Sequence, residues 1–213
     1  MKIATAAYTQ DILTSWAHYE DKLASWVATA AANGADLLVF PEYGAMELAT
    51  LAGLDVAADL EASLFAVSDR LADADAVHQR LAAEYGVHIV AASGPAATAT
   101  RPVNRARLIT PDGKIGVQDK QIMTRFEREV WGVIGGNALQ VFETAIGKIG
   151  ILICYDSEFP LLGRALADCD VIAVPSVTEA LAGYWRVRIG SMARALENQC
   201  ITAMSSCVGP ADW

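Results

Sequence analysis

Gly150-Ile151-Leu152-Ile153-Cys154-Tyr155-Asp156-Ser157-Glu158-Phe159-Pro160 is an apolar run that stops at a cysteine and passes at once into polar and turn-forming residues. A short apolar run of this kind reads as a buried strand. The abrupt change after it reads as a sharp strand-to-helix turn. Such a turn lifts the Cys154 thiol out of the sheet, beside backbone N–H groups that a helix start leaves without partners. A sulfur in that position is a candidate nucleophile rather than core filler.

Working outward, strands and helices alternate. Residues 2–8 read as a strand. Residues 15–32 read as a helix, with Trp16, Tyr19, Leu23, Trp26, Val27 and Ala30 at helical spacing and Asn33-Gly34 as its stop. Residues 36–40 form a second strand ended by Pro41-Glu42, 60–85 a helix closed by Gly86, and 87–92 a third strand. Residues 105–110 and 114–119 flank Pro111-Asp112-Gly113, a hairpin turn sequence. A polar loop spans 120–138, and strands follow at 139–143 and 148–153. Helix 160–168, strand 171–174, helix 184–198 and strand 201–206 complete the order. This interleaving predicts an α/β layered fold in one domain, with no linker or short-period repeat.

The chain has 213 residues, 54% of them hydrophobic, and a formal net charge of -9. The acidic balance argues against nucleic-acid or anionic-membrane partners. No segment is apolar enough to span a bilayer, and the start reads as a first strand rather than a signal peptide. The cysteines, at positions 154, 169, 200 and 207, show no CxxC pairing, so reduced thiols in the cytoplasm are expected. Cys169, Cys200 and Cys207 read as structural. His18, His78 and His88 lack zinc-site spacing.

Three chemically distinct residues follow three predicted strands: Glu42 after Leu37-Leu38-Val39-Phe40-Pro41, Lys120 after Val117-Gln118-Asp119, and Cys154 after Ile151-Leu152-Ile153. Sites in open α/β sheets collect beyond the carboxyl ends of strands. If these strands are neighbours, a carboxylate, an ammonium and a thiol converge.

These motifs, in this order, resemble the nitrilase or carbon–nitrogen hydrolase superfamily. Phe40-Pro41-Glu42, Asp119-Lys120, the run from Gly150 to Pro160, Val174-Pro175-Ser176 and Arg194-Ala195-Leu196-Glu197-Asn198-Gln199 carry the resemblance. It implies an αββα sandwich, a Glu-Lys-Cys triad, no metal or other cofactor, and a homodimer or larger homo-oligomer. Carried over, Cys154 is the nucleophile, Glu42 the general base and Lys120 the cation that stabilises the intermediate. Glu127 matches a second acid that many members use, with Glu129 as fallback. The run Arg125, Glu127, Arg128, Glu129 also fits a solvated charged surface. Tyr155, through its backbone N–H, and Ser176, at a strand end, are expected to bind substrate. Asp156 and Glu158 are expected to support the turn.

The implied chemistry is cleavage of a small linear amide through a thioester on Cys154, releasing ammonia and a carboxylic acid. A free thiol has a pKa of about 8.5, and Lys120 is expected to favour thiolate. Cys154-Tyr155-Asp156 resembles the amidase branches more than true nitrilases, where Trp-Glu often follows the cysteine. Nitrile, N-carbamoyl and acyl-transfer chemistry fit the same triad. An inactive binding or regulatory relative, or a Cys-His hydrolase using His78 or His88, are further alternatives. The resemblance ends at Val208-Gly209-Pro210-Ala211-Asp212-Trp213, where family members continue. The chain is therefore expected to be one hydrolase domain lacking the usual C-terminal segment.

Overall fold

The layers of the molecule follow from alternating side chains. In the strand Leu37–Val39 (β3) and the residue after it, Leu37 and Val39 belong to one buried cluster, Leu38 and Phe40 to another. The first pair faces a second sheet and the second pair faces helices, as the two-residue period of a strand requires. The same alternation holds in His88–Ala96 (β4), where Ile89 and Ala91 face the helices and Val90 faces the other sheet.

A computed structural model describes residues 1–210. The expected turn at 208–213 is thus only partly described, since 211–213 lie outside the described residues. One sheet runs β1-β3-β4-β5-β6, with Ile3–Thr5 (β1), Val103–Ile109 (β5) and Ile115–Asp119 (β6). The other runs β2-β10-β9-β8-β7, built from Ala7–Thr9 (β2), Phe142–Thr144 (β7), Gly147–Ile151 (β8), Val171–Ser176 (β9) and Ile201–Val208 (β10). Trp16–Ala32 (α1) and Ala62–Tyr85 (α3) cover the first sheet, and Pro160–Ala165 (α5) and Leu181–Asn198 (α6) the second. Two short helices, Leu54–Ala58 (α2) and Arg125–Glu129 (α4), lie in connections. The expected αββα sandwich is the observed fold.

Two departures have physical causes. The strand expected at 2–8 is two strands, one in each sheet. Ala6 is the crossing point: its N–H donates to the Val39 carbonyl (3.0 Å) and its carbonyl accepts from the Ser206 N–H (3.2 Å). A β-pattern cannot show which sheet its hydrogen bonds serve. The 3-10 segment Gly44–Ala52 was not legible, because Gly44 to Thr50 are all buried and show no amphipathic period, and α2, at five residues, is too short to show one. The hairpin is present, with Ile109 opposite Ile115 and Gly113 at φ 84 in the turn. Among the described residues no helix is long and apolar enough to cross a membrane.

Candidate active site

Glu42, Lys120 and Cys154 meet at one end of the sandwich, but not as neighbours in one sheet. β3 and β6 are separated by β4 and β5, and β8 belongs to the other sheet. β3 is parallel to β4 while β5 and β6 reverse twice, so β3 and β6 point the same way. Convergence therefore occurs across the layers, where the carboxyl ends of strands from both sheets open onto one cavity.

Each residue is placed by its local backbone. After β3 the chain turns at Tyr43, whose φ is 53 and whose N–H donates to Ser93 Oγ (3.0 Å). Lys120 directly follows β6 and its N–H donates to the Asn104 carbonyl (2.8 Å). Cys154 begins the 3-10 segment Cys154–Glu158 with φ 49. A non-glycine residue there costs about 1–3 kcal/mol of strain. Ser157 Oγ donates to the Cys154 carbonyl (2.7 Å), and Arg194 of α6 donates to the Ser157 carbonyl (2.9 Å), holding the turn. The sharp turn read from the sequence is present.

Lys120 Nζ lies between two carboxylates, 2.7 Å from Glu42 Oε1 and 2.6 Å from Glu127 Oε2. All three side chains are buried. Glu127 reaches the site through a capping box at the start of α4, in which Thr124 and Glu127 bond reciprocally. Glu129, two residues on, is exposed and pairs with Arg125 and Arg128. The solvated-charge reading fits Glu129 and not Glu127.

Three partners had no sequence signal. Asn104, buried in β5, donates from Nδ2 to Glu42 Oε1 (3.0 Å) and Glu127 Oε1 (3.3 Å). Tyr43 donates its hydroxyl to Glu127 Oε1 (2.9 Å). Val177, just past β9, donates its N–H to Glu42 Oε2 (3.2 Å), and its carbonyl accepts from the Cys154 thiol (3.6 Å). None belongs to a motif that composition or spacing marks. Their roles arise from pairing between distant strands.

Burial separates the two glutamates. Burial raises the Glu42 carboxyl above its usual range, only partly offset by Lys120, and Glu127 adds to the rise. Burial also opposes ionisation of Glu127, but Lys120 and the N–H and hydroxyl of Thr124 overcome it and hold this carboxyl low. Burial opposes the charge on Lys120, and the two carboxylates outweigh it, so the ammonium is kept. Burial and then the Glu42 charge push the Cys154 thiol well up, against the pull of Lys120. Lys120 pulls the thiol toward thiolate, as expected, but burial and the Glu42 charge outweigh that pull and hold the thiol above its ordinary range.

A cavity of about 630 Å³ opens over these groups. Its walls include Tyr43, Met46, Phe126, Trp131, Tyr155 and Val187, with Glu158, Glu179 and Arg186 as further charged lining. Tyr155, expected to bind substrate through its N–H, is among the residues that line the cavity. Ser176 does not: it is fully buried and its hydroxyl donates to the Ser205 carbonyl (2.6 Å), so the residue that faces the cavity from this strand end is Val177. The Cys-His alternative finds no support in the geometry. His78 and His88 lie outside the cavity lining, and burial lowers His78 to about 4.

Fold and sequence together define the class. The family model for carbon–nitrogen hydrolases matches residues 2–212, and the chain belongs to that family. It is 34% identical over 213 residues to a probable hydrolase, YhcX, of Bacillus subtilis, covering 98% of this chain and 40% of that protein. It is 32% identical over 122 residues to the omega-amidase YafV of Escherichia coli, covering 57% of this chain and 47% of that protein. The chain thus spans about half or less of the length of these curated relatives. Among solved structures, a carbon–nitrogen hydrolase from Helicobacter pylori superposes with TM-score 0.77 at 18% identity, over 95% of this chain and 72% of that one. An amidase from Nesterenkonia sp. AN1, a double mutant in complex with acrylamide, gives 0.74 at 21% identity, over 99% and 77%. These two likenesses concern the fold.

Proposed function

We propose that the chain hydrolyses a small linear amide by way of a thioester on Cys154, releasing ammonia and a carboxylic acid. The observation that carries this reading is one ammonium held between two buried carboxylates of opposite pKa tendency, beside a thiol on a strained turn. Two acids whose environments drive them apart take different roles. Glu42, held high, is the proton shuttle; Glu127, held low, keeps Lys120 charged and fixed.

The substrate carbonyl enters over Cys154. As sulfur attacks the carbonyl carbon, the thiol proton passes to Glu42, so the nucleophile is deprotonated only when it is used. The oxyanion that forms takes the third N–H of Lys120 and the Tyr155 N–H at the start of the 3-10 segment. Glu42 then gives its proton to the leaving nitrogen, the carbon–nitrogen bond breaks, and ammonia leaves. Water attacks the thioester while Glu42 takes one of its protons. The acid departs and Glu42 returns the proton to sulfur.

The omega-amidase relative supports an amide as the substrate, with a nitrile, an N-carbamoyl compound or an acyl acceptor other than water as the alternatives on the same groups. Ammonia release measured across short amides, nitriles and N-carbamoyl compounds tests this, with amides expected as the productive class. Cys154→Ala is expected to abolish turnover without changing the fold, and brief incubation with a substrate is expected to place an acyl group on Cys154 by intact mass. Full activity in Cys154→Ala, or acylation of Cys169 or Cys200, would reject the assignment.

A homodimer or larger assembly belongs to the same reading. Leu181, Trp185, Ile189, Met192 and Leu196 recur at helical spacing along α6 and are all exposed. A stripe of this kind on a surface helix fits burial against a partner. Sedimentation velocity is expected to show a dimer or larger species; a monomer at micromolar concentration would refute it. The four free cysteines fit a reducing cytoplasm.

A further inference from the structure

The Cys154 turn and the segment after Lys120 belong to different sheets and are 34 residues apart, yet one side chain joins them. Asp156 Oδ1 accepts from the Ile122 N–H (2.8 Å), and both of its oxygens accept from the Gln121 N–H (3.2 Å each). Oδ2 also accepts from the Ile153 N–H, one residue before the nucleophile (3.3 Å). Asp156 is 1% exposed. The Ile153 bond alone would make it a local cap of the 3-10 segment. The bonds to Gln121 and Ile122 serve no capping role. They anchor the chain directly after Lys120, whose own N–H and carbonyl are held on the other side by the Asn104 carbonyl and the Gly136 N–H.

We propose that Asp156 is a positioning residue that ties the nucleophile turn to the ammonium-bearing segment, so that Cys154 and Lys120 keep their mutual placement only while this carboxylate is ionised. The proposal rests on the hydrolase reading for its catalytic consequence and on geometry alone for the tie. All partners in these bonds are backbone N–H groups, so the side chain must be an acceptor at both oxygens. A protonated carboxyl or an amide turns one acceptor into a donor facing an N–H, and the tie loosens.

The charged group that acts on Asp156 is the Lys120 ammonium. Glu158, on the same turn, is paired with Arg186, and Arg194 of α6 is engaged by Glu197 and the Ser157 carbonyl. Burial pushes the Asp156 carboxyl up to about 7, against the N–H groups of Ile122 and Gln121 and the Lys120 charge. The tie therefore loosens within the ordinary working range, as pH falls through about 7.

The test uses the full chain and Asp156→Asn, which keeps the side-chain shape. In amide proton–nitrogen spectra between about pH 5 and pH 9, the Gln121, Ile122 and Ile153 N–H signals are expected to titrate together with a midpoint near 7, and to be flat in Asp156→Asn. Ammonia release from butyramide is expected to show an acid limb in kcat at that midpoint. In Asp156→Asn the component with its midpoint near 7 disappears, the limb from Glu42 remains, and kcat at pH 8 falls about tenfold to a hundredfold, with KM changed less than about threefold. A variant with native kcat, or with the component near 7 intact while the Gln121, Ile122 and Ile153 signals are flat, would overturn the positioning role. N–H signals that titrate separately would overturn the tie, whatever the turnover. No ammonia release by the native chain, with the three signals still moving together, would reject the hydrolase reading and leave the tie standing.

Discussion

Among the described residues two lysine–glutamate clusters reach into the interior, and they are built differently. In the second, Lys22 Nζ donates to Glu47 Oε2 (2.6 Å) and the Thr9 carbonyl (2.6 Å) and pairs with Asp11 (2.9 Å). Glu47 also accepts from the Tyr8 hydroxyl and the Asp11 N–H (3.0 Å). All three Lys22 N–H groups are used, and Glu47 is fully buried away from the cavity lining. At Lys120, two N–H groups hold Glu42 and Glu127, and the third, beside the Cys154 thiol, is the one the proposed reaction gives to the oxyanion. A buried ion pair is therefore no mark of function. An unused donor, a second carboxylate that is buried rather than exposed, a thiol and an open cavity make the difference.

The largest effect that can break this contrast comes from removing each lysine. Lys120→Ala leaves two carboxylates buried, and Lys22→Ala leaves one. Each is expected to destabilise the fold, by about 3–5 kcal/mol where no proton compensates, as urea unfolding would show. In the folded fraction the two should diverge. Lys120→Ala should lower kcat about a hundredfold to a thousandfold with little change in KM, and Lys22→Ala should keep kcat within about threefold. Equal losses of kcat would show that the clusters are not functionally distinct. A KM effect alone in Lys120→Ala would make that residue a substrate-binding group.

Asn104→Ala sharpens the comparison at intermediate size. No neutral amide bridges two carboxylates in the Lys22 cluster, whereas Asn104 donates to both Glu42 and Glu127. Its loss is expected to reduce kcat about tenfold to a hundredfold and to move the acid limb that Glu42 contributes toward higher pH, because a donor to its ionised form is gone. A pH–rate profile of the variant checks this; an unmoved profile would remove Asn104 from the machinery.

The smallest effect is a pair of opposite pH slopes. Glu127 is held below its usual range, so its ionised contacts contribute stability above the ordinary carboxylate pKa and lose it as pH falls through the lower folded value. Glu47 is raised, by burial first and against Lys22, so its contribution is fully present below the ordinary value and declines as pH rises through the folded one. Urea midpoints should show Glu127→Gln costing most at about pH 8 and least at about pH 3, and Glu47→Gln the reverse, with differences of about 1 kcal/mol. Parallel slopes would contradict the assigned environments.

Particular residues show how far the sequence could be read. The Cys154 turn was legible because an apolar run and a polar break are local signals. Glu42 and Lys120 were legible as strand-end residues in a recognisable order. Glu127 stood beside Glu129 in one charged run, and only the capping box, which turns Glu127 inward and leaves Glu129 in water, separates them. Ser176 was read one residue short of Val177, the position that meets Glu42 and Cys154. Asn104 and Asp156 gave no local sign of bridging, since their partners lie 23 to 62 and 34 to 35 residues away.

The amino-acid order by itself settled the alternation of strands and helices, the thiol at a sharp turn and the acid and cation at strand ends, because period and turn chemistry act over a few residues. The tertiary structure decided that the first strand divides between two sheets, which glutamate turns inward, and that the thiol rests protonated. Those outcomes depend on burial and on distances between charges remote along the chain, and Coulomb interactions weighed against desolvation have no local pattern to betray them.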